Sequence, residues 1–226
     1  MKKKIFVTRT IPEAGMKLLK AKKDFEVKVW QDKRDAYGSG PAIPYKKFLK
    51  EVKGAHAILC MLTEKIDEPV IKAAGPQLKV IAQNAVGYNN IDLIAAKKHG
   101  VTITNTPGVL SRAVAEHTIA LIMAISKRIV EADRYTRAGK YKSWAPLMML
   151  TTELSGKTLG LVGGGRIGSA TAHFAHHGLG MKILYTDVIK NKHLEKEVKA
   201  KKTSLLNLCK KSDVVSVHVP LLPSTK

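Results

Sequence analysis

Gly163-Gly164-Gly165-Arg166-Ile167-Gly168 spells G-x-G-x-x-G directly after the apolar run Thr158-Leu159-Gly160-Leu161-Val162, where a strand should end and a helix open. At such a junction the three glycines have separate tasks. Gly163 permits a tight turn, Gly165 lets backbone approach an anion that any Cβ would hold off, and Gly168 lets the helix lie close on its strand. The first N–H groups of that helix then face the anion. Asp187 ends the next strand 19 residues after Gly168, near the spacing of about 20 at which an acidic side chain reaches a ribose in dinucleotide sites. Together the two signals predict a dinucleotide site rather than a bare glycine turn. The Asp187 carboxylate would accept from both ribose hydroxyls of NAD and repel the extra phosphate of NADP, so NAD is expected over NADP. Two readings stay open beside this one: Asp187 caps the turn after it, or Lys190 and Lys192 accommodate a phosphate.

Other reactive side chains give weaker signals. His173, His176 and His177 have i, i+3, i+4 spacing on the helix after the glycine loop, as a metal pair would. No carboxylate or cysteine is spaced to complete that set, so no metal is expected. His117 and His218 read as structural or solvated. Cys60 and Cys209 stand in apolar surroundings without a CxxC or Cys/His cluster, which disfavours a disulfide framework and a zinc site and makes a reducing cytoplasm the expected compartment.

The elements that must position these residues alternate. Strands are expected over 5–8, 26–30, 57–61, 79–83 and 102–105, with helices over 12–22, 68–74 and 90–98 between them. A long helix should come next, capped by Ser111, striped by Val114, Thr118, Leu121, Ile122, Ile125 and Ile129, and ended by Gly139. After an irregular stretch with Trp144 and Pro146 comes a second series: strand 158–162, helix from Arg166, strand 182–186, helices near 194–201 and over 204–210, and strand 214–219. Such alternation means α/β architecture with parallel sheets covered on both faces.

Composition sets the outer bounds. The chain has 226 residues, 45% hydrophobic and 25% charged, which is globular rather than disordered or collagen-like. Its net charge of +21 makes polyanion binding an early hypothesis. The lysines lie in scattered pairs (Lys22-Lys23, Lys46-Lys47, Lys97-Lys98, Lys201-Lys202, Lys210-Lys211) without interleaved aromatics, so solvated helix faces explain them and nucleic acid is not an expected partner. The longest apolar stretch, 119–125, falls far short of the ~18 residues a spanning helix needs. Arg9 and Glu13 interrupt the residues after the lysine-rich start, so neither a membrane segment nor an export signal is expected.

Several ordered motifs carry a resemblance along nearly the whole chain. They are Leu78-Lys79-Val80-Ile81-Ala82 through Val86-Gly87-Tyr88-Asn89-Asn90-Ile91-Asp92, Asn105-Thr106-Pro107-Gly108, Val114-Ala115-Glu116-His117-Thr118, Leu154-Ser155-Gly156-Lys157, the glycine loop, Gly180-Met181-Lys182 and His218-Val219-Pro220-Leu221. With them the sequence resembles the D-isomer-specific 2-hydroxyacid dehydrogenases, most closely the glyoxylate/hydroxypyruvate reductase-like members. The resemblance implies a flavodoxin-like, substrate-facing domain over 1–107 and an incomplete Rossmann NAD-binding domain over 108–226. It further implies hydride transfer between NAD(H) and a small 2-oxo or 2-hydroxy acid. For the complete protein it implies a homodimer made through the long helix and the Trp144 segment.

Residue by residue, the resemblance gives Val86 and Gly87 backbone N–H groups for the substrate carboxylate, with Leu62 lining the pocket. It gives Arg166 and Ile167 N–H groups for the pyrophosphate, Thr118 a place facing the cofactor, Val219 and Pro220 the adenosine side, and Thr225 a later contact. An ordinary core threonine is the other reading of Thr118. The family's arginine, glutamate and histidine are implied to lie beyond residue 226, so no catalytic residue is assigned within 1–226 and these residues alone are expected to lack turnover. With only three strands expected between 158 and 219, strand 158–162 should lie at an open sheet edge. The competing reading is a NAD-dependent binding or regulatory protein without dehydrogenase activity.

Overall fold

Each short β-branched run becomes a parallel strand because the helix after it returns the chain to the same end of the sheet. The computed structural model describes residues 2–30, 40–222 and 225, in two compact units, Met1–Pro107 and Gly108–Lys226.

The first unit runs β1 (Lys3–Val7), α1 (Glu13–Lys20), β2 (Phe25–Val29), α2 (Tyr45–Glu51), β3 (Ala57–Cys60), α3 (Glu68–Ala74), β4 (Val80–Gln83), α4 (Leu93–Lys98) and β5 (Thr102–Thr104). Its five strands are all parallel in the order β2-β1-β3-β4-β5, the flavodoxin-like order, whose switch point lies between β1 and β3. Phe6, Phe48, Ile58, Ile66 and Ile81 fill the core. Asp67 and Asp92 cap α3 and α4 by accepting the N–H of Val70 and Ala95. Helix α2 has no counterpart in the sequence expectations. It is seven residues long and buries only Phe48, too little for a helical period to show.

The second unit runs α5 (Ser111–Ser126), α6 (Ile129–Arg137), β6 (Thr158–Val162), α7 (Arg166–Leu179), β7 (Lys182–Thr186), α8 (Lys192–Val198), β8 (Lys201–Lys202), α9 (Leu205–Lys211) and β9 (Val214–Val217). Its four strands are parallel in the order β8-β7-β6-β9, which is 3-2-1-4 in Rossmann numbering. Leu159, Leu161, Ala172, Ala175, Met181, Tyr185 and Leu194 make its core.

The structure corrects four expectations. Strand β6 is internal, not an edge: β9 crosses over to pair on its far side, so the edges are β8 and β9. The long helix is two helices, because Arg128 adopts a left-handed φ of 54° between α5 and α6. Ser111 is the first helical residue rather than the cap; the cap position is Leu110, which has no side-chain oxygen to offer the helix N–H groups. Lys201 and Lys202 do not end a helix or line its face. Lys199 turns out of α8 at φ 53°, and the two lysines pair with Leu184 and Tyr185 as a short edge strand.

Candidate functional site

In the second unit, β6 delivers the chain into Gly163 at φ +107°, and a Cβ there would sit 2.7 Å from the carbonyl oxygen of His218. Only glycine takes that conformation with a neighbouring backbone so close. A Cβ at Gly168 would overlap the carbonyl oxygen of Gly163, so this glycine lets α7 lie against the loop. At Gly165 the situation is opposite: an added Cβ would meet nothing within 4 Å. The space in front of that residue is open, at the mouth of a helix whose first N–H groups, those of Arg166 and Ile167, have no intrahelical acceptor. An open cradle that a Cβ would partly fill, backed by helix N–H donors, fits a dinucleotide pyrophosphate.

Asp187 comes directly after the last residue of β7. Its Oδ2 accepts the Gly164 N–H at 2.8 Å, and its Oδ1 accepts the Ile189 N–H at 3.2 Å. The side chain thus caps its own turn and grips the glycine loop, and each oxygen keeps a further lone pair. From the other side Asn191, the cap of α8, donates to the Gly164 carbonyl at 2.8 Å and to Ser169 Oγ at 3.1 Å.

The remaining residues expected on the cofactor side lie on α5 and in the segment after β9. Val219 lies at the loop, its Cγ1 3.1 Å from where a Gly163 Cβ would stand. The Pro220 carbonyl accepts from Thr225 Oγ1 at 2.6 Å, and the same hydroxyl accepts the Leu222 N–H at 2.8 Å, which ties Thr225 to both residues. Thr118 donates its hydroxyl back to the Val114 carbonyl at 2.8 Å, as a helix threonine does. Thr118 and His218 line one cavity of about 610 Å³ between α5 and β9. Burial holds His218 below its ordinary pKa, and its Nε2 lies 3.0 Å from Ser216 Oγ. His117 is exposed on α5, and the Cys209 thiol is exposed on α9 rather than held in the apolar surroundings expected of it.

In the first unit, Val86, Gly87 and Leu62 come together at the carboxyl ends of β3 and β4, with Leu62 Cδ2 3.7 Å from a Cβ built on Gly87. The loop's carbonyls are tied: Asn105 Nδ2 donates to the Val86 oxygen at 2.9 Å and Gln83 Nε2 to the Gly87 oxygen at 3.2 Å. Among the described residues no hydrogen bond engages the N–H of Val86 or Gly87, which leaves both donors for an anion.

A buried polar network under this loop is absent from the sequence expectations. Gln83 Nε2 donates to Asn90 Oδ1 at 2.8 Å, and Asn90 Nδ2 donates to the carbonyls of Met61 and Glu64 at 3.0 and 2.8 Å. Glu64 is 3% exposed. Its carboxylate accepts from Thr8 Oγ1 at 2.8 Å, the Met61 N–H at 2.7 Å and Thr63 Oγ1 at 2.6 Å. Burial, with Glu64 adding to it, pushes the neighbouring Cys60 thiol up to about 12. Polar residues ending apolar strands, Gln83 in particular, were the available signal.

The expectation that no carboxylate joins the histidines does not hold. A carboxylate does complete the histidine pair, because α8 packs on α7 and brings Glu197 Oε1 to 2.6 Å from His173 Nδ1. His176 does not take part; its Nδ1 lies 3.0 Å from the Met181 carbonyl.

Known proteins share sequence and fold with this chain. The family described as D-isomer specific 2-hydroxyacid dehydrogenase, catalytic domain, matches residues 5–206. A glyoxylate reductase of Korarchaeum cryptofilum is 48% identical over 227 residues, all of this chain and 65% of the relative. The TT0316 protein of Thermus thermophilus superposes with a TM-score of 0.87 at 38% identity, over 98% of this chain and 66% of that one. A D-lactate dehydrogenase of Aquifex aeolicus, solved with NAD and lactic acid, gives a TM-score of 0.78 at 32% identity, over 98% of this chain and 62% of that one. The chain thus spans about two thirds of the length of the relatives it matches. Among the described residues no helix is long and apolar enough to cross a membrane.

Proposed function

This chain belongs to the D-isomer specific 2-hydroxyacid dehydrogenase family, and from that membership we propose that it serves the reduction of a small 2-oxo acid of the glyoxylate or hydroxypyruvate type by NADH. In this reading residues 1–107 carry the substrate side and 108–226 the dinucleotide side. The observation that carries it is the open space before Gly165, in a loop whose other two motif glycines are filled against by backbone.

When bound, the nicotinamide supplies the hydride. Arg166 and Ile167 hold the pyrophosphate by their backbone N–H groups, Arg166 adding charge, and Gly163 and Gly168 keep the loop tight behind them. The free lone pairs of Asp187 take the ribose hydroxyls, which supports NAD over NADP. Thr118, Val219, Pro220 and Thr225 flank the cofactor. Val86 and Gly87 orient the substrate by offering their N–H groups to its carboxylate, and Leu62 packs on its carbon side.

The role of proton donor is not assigned to His117, which is solvated, or to His218, whose Nε2 faces Ser216. The arginine, glutamate and histidine of the reaction are proposed to come from outside residues 1–226, so these residues alone bind a dinucleotide weakly and do not turn over. The two free thiols, Cys60 and Cys209, support a reducing compartment such as the cytoplasm. A homodimer through α5, α6 and the Trp144 segment is supported by the exposure of Leu121, Ile125, Ile129, Trp144 and Leu147.

The test is NADH oxidation with glyoxylate, comparing residues 1–226 with a chain extended past Lys226 to the length of its relatives. Turnover by the extended chain alone is the expected result. Robust turnover by 1–226 would show that a histidine assigned a structural role, His117 or His218, is the acid.

A further inference from the structure

We propose that the outer face of α7 and α8 is a binding site for one divalent transition metal of zinc type, held by His173, His177 and Glu197, with His193 as a fourth ligand. One donor atom from each of the first three lies within 4.8 Å of the others. His173 Nδ1 stands 2.6 Å from Glu197 Oε1, and His193 Nε2 stands 3.3 Å from Glu197 Oε2. The rings of His173 and His177 are 4.7 Å apart and inclined by 58°, side by side rather than stacked flat.

The fold presents these groups together for a simple reason. Helix α7 buries Gly168, Thr171, Ala172 and Ala175, so His173 and His177, an i, i+4 pair, share its outward face. Helix α8 buries Leu194 and Val198, which turns the i, i+4 pair His193 and Glu197 outward as well. The two helices pack on one another, and the two pairs meet edge to edge. Paired ligands from facing helices are how helical proteins build metal centres.

The donor set selects the ion. Imidazoles with one carboxylate suit zinc, nickel or copper, whereas magnesium and calcium want oxygen ligands throughout. Around zinc, with bonds of about 2.0–2.2 Å, tetrahedral ligand atoms stand about 3.4 Å apart. Small side-chain rotations, which exposed groups make freely, open the 2.6 Å contact of His173 with Glu197 and close the wider spacings toward that value. Ion pairing alone is a poor account of the cluster, because two imidazoles contact one carboxylate and a third stands within 4.8 Å of it, in a chain with 39 lysines and arginines to pair with it.

A metal at this position would clip α7, which opens at the glycine loop, to α8, whose cap Asn191 holds that same loop. Its ligands are separate from the residues of the proposed dinucleotide and substrate sites, so it binds whether or not the chain serves as a dehydrogenase.

The experiment is calorimetric titration of the metal-stripped 226-residue chain with zinc chloride, with thermal melting in zinc and in EDTA beside it. Expected are one zinc per chain, an EDTA-reversible rise in melting temperature, no heat with magnesium, and at least a tenfold loss of affinity in each of His173→Gln, His177→Gln and Glu197→Gln. All three positions are solvent-facing, so the variants should fold, and circular dichroism checks this. His117→Gln and Cys209→Ser should bind as the parent does. Absence of saturable zinc binding by the parent, binding unchanged in the three variants, or binding abolished by Cys209→Ser would each overturn the proposal.

Discussion

Replacing Gly165 and Gly168 in turn should separate two kinds of glycine that the motif treats alike. Gly165 sits at φ −72° and ψ −162°, a conformation any residue adopts, and a Cβ there meets nothing within 4 Å. Gly165→Val should therefore change stability by no more than about 1 kcal/mol in either direction, the unfolded-state and propensity effects being of that size. Its branched side chain would nonetheless stand where the diphosphate must lie. NADH affinity should fall at least tenfold, a loss of about 1.4 kcal/mol or more. At Gly168 a Cβ would overlap the Gly163 carbonyl, a backbone atom that no rotamer change can move. Gly168→Ala should thus destabilise by about 1–3 kcal/mol, the usual range for overpacking, and lower Tm by about 2–12 °C for a chain of this size. Thermal melting by circular dichroism and fluorescence titration with NADH measure both quantities on both variants. Undiminished NADH binding by folded Gly165→Val would refute the placement of the ligand. A melting temperature for Gly165→Val lowered as far as that of Gly168→Ala would refute the reading of the open space.

Asp187→Ala should narrow the preference for NADH over NADPH by about 1.5–3 kcal/mol, the size of a charge-assisted hydrogen bond; equal affinities in the parent would remove the basis for that preference. In the native protein a thiol reagent such as dithionitrobenzoate should titrate one cysteine per chain, the exposed Cys209. Cys60, buried and with its thiol pushed up to about 12, should react only after denaturation. Glu68 lies at 2.9–3.2 Å from His99, Lys98 and Lys72, which, His99 first, lower its pKa from 4.5 to about 2. Its contribution to stability is therefore present above pH 4.5 and lost as the pH falls from there through 2. Glu68→Gln should flatten the acid limb of a urea-denaturation pH profile in that window, and an unchanged limb would show that solvent screens the cluster fully.

What the sequence disclosed and what it hid divide along physical lines. The glycine loop was legible because its constraints are local: a positive φ at Gly163 and close contacts at Gly163 and Gly168 leave no other residue type. Strands such as β6 were legible from apolar runs buried on both faces. Helix α2 was hidden by its length and by burying one residue, and β8 by consisting of two lysines that pair with β7. The break at Arg128 carries no glycine or proline to announce it. Contacts between distant segments were out of reach altogether. Glu197 meets His173 from 24 residues away, and Glu64 meets Thr8 from 56. Neither pairing exists until helices pack or strands align, so no spacing rule could reveal it.

The grip of Asp187 on Gly164 has a consequence for anyone wishing to redesign the site. The residue that would choose between the two dinucleotides is also a strut of the loop that would receive either of them. A substitution made to admit a 2′-phosphate, such as Asp187→Ser or Asp187→Ala, also slackens the loop. Freezing it again on binding then opposes affinity by about 1–2 kcal/mol per residue ordered. Selectivity and rigidity are thus wired through one carboxylate. A cofactor switch calls for a second change that restores an acceptor to the Gly164 N–H, whereas the single substitution yields a weaker binder of both cofactors.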